Sequence, residues 1–183
     1  MGLTLITPAT VPPVTLADAR TVCRIEASET SFDPLLTLLL GAAVDELAAF
    51  TGQALGEQGW RLSLDQFTDT IELPRGPATA VASVGYYDIA GTLQTLSPAI
   101  YTIDLVTNPQ WLVLNSGKSW PELLDAVNVV RVDFTAGYSP ATLPPGLKGA
   151  VLGLIAHRWD NGAAATIPAG VLDAASPFRP ILI

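Results

Sequence analysis

The chain has 183 residues, of which 49% are hydrophobic and only 14% charged, with 15 glycines besides and a net charge of −8. So few charges cannot cover a lone globule of this size, which points to subunit interfaces; the acidic balance excludes wrapping nucleic acid by phosphate neutralisation. A single cysteine, Cys23, excludes an internal disulfide framework.

The N-terminus, MGLTLITPATVPPVT, has neither a basic n-region nor a long apolar h-region, so no signal peptide is expected. A first helix is predicted from Thr15, because Thr15 and Asp18 stand at capping-box spacing. Leu16, Ala19, Val22 and Cys23 then fall on one stripe. A second helix is predicted to start at SFDP, with Asp33 capping and Pro34 in the first turn, and to stop at Gly52. Its strongest apolar run, PLLTLLLGAAV, ends at Asp45-Glu46 after about ten residues, short of the roughly 20 that span a bilayer. Leu36, Leu39, Leu40, Ala43, Leu47 and Phe50 form one face. Leu35, Leu38, Ala42 and Ala49 form another. A helix apolar on two sides is covered on both, and here the second side is expected to meet a neighbouring subunit.

From Trp60 the period changes to two. WRLSLDQF, TIELP, ATAVASVGYYD, TLQTLS, YTIDL, WLVLN and NVVRVDF, separated by Gly, Pro, Asn and Asp turns, predict about six short antiparallel strands in a sandwich or small barrel. A third helix is predicted from Pro144-Pro145 to Asn161-Gly162, with Leu147, Ala150, Val151, Leu154 and Ile155 inward. Gly149 and Gly153 give it a smooth side for close approach by another helix. A short helix over 170–175 and an apolar tail, SPFRPILI, complete the chain.

No catalytic constellation emerges. His157, the only histidine, lies near the end of the third helix, and pairing it with Cys23 lacks an orienting third residue. Gly117-Lys118-Ser119 is half a phosphate-binding loop: the required earlier glycine is Leu112, and Pro121 follows where a helix should. One Cys and one His cannot build a zinc set, and the strand acids lack calcium-loop spacing, so no metal or cofactor is expected. Trp60, Trp111, Trp120 and Trp159 are scattered, which favours packing over a ligand cage. Arg75 in ELPRGP is best explained as part of a proline-bounded strand break.

Three phrases together carry a family resemblance. LADARTVCRIEASETSFDPLLTLLLGAAVDELAAFTGQAL resembles the two-helix start of phage head–tail connector proteins. WRLSLDQF followed by IELPRGPATAVASVGYYDIAGTLQTLSPAIYTIDL resembles their long-insert branch, the phiE125 gp8-like adaptor or head-completion proteins. VRVDFTAGYSPATLPPGLKGAVLGLIAHRWDNG resembles the last strand and third helix of that branch. The likeness spans about 16–162, and LPRGP and TAGY are its most specific pieces.

The resemblance implies a non-enzymatic neck protein of a tailed phage or gene transfer agent, assembled in the bacterial host cytoplasm. It further implies a ring, usually of twelve subunits, below the portal protein, extending the DNA channel and receiving the stopper or tail-completion protein. DNA would pass without specific binding, because an acidic wall repels phosphates; no membrane is involved. The expected fold is α+β: a helical platform from residues 1–58 and 142–183, with an antiparallel β domain over 59–141 inserted. Leu35, Leu38, Ala42, Ala49, Gly149 and Gly153 are the candidate subunit interface. Phe178, Arg179, Pro180, Ile181, Leu182 and Ile183 are the candidate strap onto the portal or a neighbour, the alternative being that the tail folds back on its own helices. A hydrolase or carbohydrate-binding module using the β insert is the competing reading.

Overall fold

The computed structural model describes residues 1–180. The chain divides into two compact units: a β unit of residues 1–10 and 57–137, and a helical unit of residues 11–56 and 138–180.

The helical unit begins with α1 (Leu16–Val22), and its capping box is complete. Asp18 N–H donates to Thr15 Oγ1 at 3.1 Å, and Thr15 N–H donates back to Asp18 Oδ2 at 3.2 Å. Val14 before the cap and Ala19 beyond it are both fully buried in one core, the pairing that fixes the entry of the chain into a helix. The Thr15 hydroxyl and then Lys148, whose Nζ lies 3.1 Å from Asp18 Oδ2, hold the Asp18 carboxyl below the usual range. Thr15→Ala is expected to cost about 1 kcal/mol, read as a lowered melting temperature of the helical signal; an unchanged melt would deny the cap its role.

α2 (Asp33–Thr51) ends at Gly52, whose φ of 72° is the left-handed stop a glycine permits. Its start differs from expectation. Phe32 occupies the N-cap and no side chain caps the turn, because the Asp33 carboxylate is taken by the Arg20 guanidinium, with Nε to Oδ1 at 2.9 Å. The apolar character continues past Asp45-Glu46 to Thr51, so by length and composition α2, among the described residues, is apolar enough to cross a membrane. Its inward stripe accounts for that character differently: Leu36, Leu39, Leu40, Ala43 and Leu47 are core. They meet Leu147, Ala150, Val151, Leu154 and Ile155 of α3 (Pro145–Asn161), the five positions that the spacing predicts. α4 (Ala169–Ala175) and a 3-10 turn at Ser176–Phe178 follow.

The β unit holds eight strands, all antiparallel. β1 (Gly2–Thr7), β2 (Gln58–Leu64), β8 (Val130–Ala136), β4 (Ala78–Tyr87) and β5 (Leu93–Thr95) form one sheet in that order. β3 (Thr70–Leu73), β7 (Gln110–Leu114) and β6 (Tyr101–Asp104) form the other. β8 is central and alternates as predicted: Val130, Val132, Phe134 and Ala136 are buried, and Arg131, Asp133 and Thr135 are half-exposed. On that second face Arg61 and Asp133, directly opposite in register, make a two-pronged ion pair at 2.7 Å for each prong. The first ten residues, assigned by sequence to the helical platform, instead belong here. β1 pairs with β2 from Gly2–Ser63 to Thr7–Gly59, and only Leu3 of the strand is even partly buried, so backbone pairing holds it.

Candidate assembly surfaces

On the outer side of α2, Leu38 is 64% exposed, Leu35 40% and Phe32 43%; Ala49 is exposed and Ala42 half-buried. Thus the second apolar face is real and open in the single chain. It borders a cleft of about 220 Å³ lined by Leu35 and Leu39 of α2, Arg158 and Trp159 of α3, and Gly162 and Ala163 beyond it. Phe32 closes edge-on against Trp159, with ring centroids 5.2 Å apart. Phe32, which sequence reasoning treated only as a helix start, borders this recess through Trp159. Gly149 faces open space, where an added Cβ would meet nothing within 4 Å. Gly153 does not: Val171 of α4 stands 3.6 Å from its Cβ position, so the smooth side at Gly153 is already used within the chain.

The tail is likewise engaged at its root. The Phe178 ring edge lies 3.0 Å from where a Cβ on Gly146 would stand, so a larger residue there would push the ring back by a few tenths of an ångström. The Arg179 guanidinium sits 5.2 Å from the centroid of Phe50. Both contacts are with the tail's own helical unit, so Phe178 and Arg179 are not free straps; a neighbour would have to displace them. Pro180 is half-buried, and Ile181, Leu182 and Ile183 lie outside the described residues.

The groups weighed for chemistry stay apart. Cys23 is buried, and burial followed by the nearby Asp160 pushes its thiol up, away from the thiolate a nucleophile needs. The His157 ring faces Asn161, whose Nδ2 lies 3.3 Å from Nδ1. Among the described residues no three His, Cys, Asp or Glu side chains converge. A second cleft of about 420 Å³ runs along Ala17, Arg20, Thr21, Arg24, Ile25 and Glu26; it offers Glu26 but no tryptophan, while the smaller cleft offers Trp159 but no carboxylate. Trp120 stacks on Phe67 at 4.4 Å, and Arg75, at a φ of 64°, lies 5.7 Å from the Trp60 ring. These are packing contacts.

In the β unit two hairpins share a device. Asp88 Oδ1 accepts from the N–H groups of Ala90 and Thr92 at 3.0 and 2.9 Å, and Oδ2 accepts from Gln94 Nε2 at 2.8 Å. Asp104 Oδ1 accepts from Val106 and Thr107 N–H at 2.9 and 3.2 Å. Both carboxyls are held below the ordinary range, Asp88 chiefly by Gln94 and Asp104 chiefly by the Val106 N–H. Each turn is therefore stapled by an acid and presents an aliphatic side chain, Ile89 or Val106.

Residues 13–89 match the family described as phage gp6-like head–tail connector protein. The whole chain is similar to a chain in the neck of an empty gene transfer agent particle, solved with C6 symmetry. The two share 27% identity, with all of this chain and 97% of that one covered and a TM-score of 0.80. It is similar also to a chain in the neck of the native particle, solved with C12 symmetry, at 25% identity, the same coverage and a TM-score of 0.77. A chain of the native gene transfer agent virion shares the fold at 24% identity and a TM-score of 0.79. No curated protein matches.

Proposed function

We propose that the chain is a structural adaptor in the neck of a tailed phage or phage-like particle. The observation that carries this is the whole-chain likeness to a gene transfer agent neck chain, at 27% identity and a TM-score of 0.80. The connector-family match over 13–89 agrees with it. The role is assembly and not catalysis. Twelve copies form a ring below the portal protein, a number supported by the C12 symmetry of a similar neck. The open faces of α2 and Gly149 pack copy against copy, because a cyclic ring needs two different patches on each subunit. The far side of the ring receives the stopper or tail-completion protein. DNA passes without binding, in keeping with a net charge of −8 per copy. Assembly takes place in the bacterial host cytoplasm.

Docking to the portal falls to Pro180–Ile183, since Phe178 and Arg179 are spent on Gly146 and Phe50. The test has two arms, both read by electron microscopy of particles. Removing the chain is expected to leave filled heads and separate tails; tailed heads in its absence would refute the adaptor role. Removing only Ile181–Ile183 is expected to leave a folded chain missing from the heads; heads that retain it would refute the strap alone.

A further inference from the structure

We propose that the loop end of the β unit is the docking surface for a different protein on the tail side of the ring, one presenting an apolar recess rimmed by lysine or arginine. The proposal rests on the adaptor reading above. The crossings after Thr10, before Glu57 and after Gly137 all stand at one end of the five-stranded sheet, where Thr7 lies opposite Gly59 and Gln58 opposite Ala136. At the other end Leu64 and Tyr86 both lie opposite Val130, so the β4–β5 hairpin and the segment 124–129 project together. Tyr87 N–H donates to Val129 C=O at 2.9 Å, and Leu124 N–H donates to Tyr87 C=O at 3.1 Å, which binds the two loops side by side.

This end shows three large aliphatics to solvent: Ile89 is 69% exposed, Leu93 52% and Val127 75%. They are held firmly. The Asp88 staple fixes the first turn, with Gly91 at a φ of 76°. Asn128 N–H donates to Asp65 Oδ1 at 2.7 Å and fixes the second loop. Aliphatic side chains on a pre-ordered backbone lose little entropy on docking, which is what a binding surface needs.

Charge selects the occupant. Residues 1–10 and 57–137 hold nine acids against four basic residues. Asp65, Asp69, Glu122 and Asp125 are exposed in the loops at this end. Of the cations here, Arg131 is laid over the Tyr87 ring at 4.9 Å, leaving Lys118 exposed in the loop after β7. An acidic rim around aliphatic knobs repels a second copy of a chain with net charge −8 and repels DNA phosphates. It attracts a basic-rimmed recess on another protein, where the rim sets encounter and the aliphatics supply the buried contact.

The test uses the chain in its own particle, with Ile89→Asp and Val127→Asp combined. Both side chains are exposed, so the melting temperature of the purified variant is expected to match the parent. Val106→Asp is the control: Val106 is 96% exposed, on the β6–β7 turn, and that turn leads into Gln110, opposite Leu73, away from these loops. Micrographs score heads for the adaptor ring and for a tail. The double variant is expected to keep its ring and to lower the tailed fraction at least tenfold, with the control unchanged. Normal tailing of ring-bearing heads would overturn the proposal, as would an equal loss in the control. Heads without rings would overturn it too, by assigning this surface to contacts between copies or with the head. If parent particles carry no ring of this chain, the adaptor reading itself fails, a distinct result.

Discussion

Leu38→Asp is expected to abolish ring assembly while leaving the subunit folded. Leu38 is 64% exposed in the single chain, so the monomer loses little buried surface. The expected cost to its own stability is that of an exposed helical substitution, roughly 0.5 kcal/mol. In the proposed twelve-copy ring the side chain is buried. Full burial of a leucine is worth about 2 kcal/mol, and an aspartate in its place must be desolvated as well. The penalty recurs at every subunit contact of a closed ring, because cyclic symmetry repeats one interface. A loss modest for a dimer therefore becomes prohibitive for twelve copies. Leu38→Ala, which removes only the burial, is expected to weaken rings and not eliminate them. Sedimentation or electron microscopy of the assembled neck, beside a melt of the free chain, decides the matter. Rings at parental yield from Leu38→Asp would show that this face of α2 is not the contact.

The helical unit was largely legible because its signals are local. Capping box, prolines in first turns, glycine stops and five inward positions of α3 all operate within one or two turns, and each stands where the spacing puts it. What escaped depends on partners far along the chain. Asp33 has the composition of a cap, but Arg20, thirteen residues earlier, claims its carboxylate. Gly153 has the look of an open notch, but Val171 fills it from a helix that returns across it. β1 gave almost no signal. It alternates for only four residues before its register shifts between Leu5 and Thr7, and it buries almost nothing, so the usual mark of a strand face is missing. Its existence follows from β2 having a free edge, a fact of pairing and not of composition. The assembly surface was half legible for the same reason. Periodicity showed that α2 has a second apolar face, but Phe32 and the cleft beside it appear only when α3 ends next to them.

The largest expected loss of stability comes from a residue that sequence gives no cause to suspect. Arg158 is only 7% exposed, and both Glu46 carboxylate oxygens accept from its Nη2 at 2.7 Å, across 112 residues. Its Nε also donates to Ala165 C=O at 3.4 Å. A guanidinium does not lose its charge at any pH a protein survives, so removing its carboxylate strands a cation in the interior. Breaking a buried pair from one side costs about 3–5 kcal/mol. The Glu46 side chain is 38% exposed, so water can reach part of the pair, and the lower end applies. Glu46→Leu is thus expected to destabilise the helical unit by about 3 kcal/mol, a large share of the roughly 5–15 kcal/mol that holds a domain. The compensating change separates this cause from lost packing. Glu46→Leu with Arg158→Met removes both charges and keeps comparable volume, and is expected to return within about 1 kcal/mol of the parent. Urea unfolding followed by the helical signal measures both. If the single variant unfolds with the parent, or the double variant stays as weak as the single, the stranded guanidinium is not what Glu46 prevents.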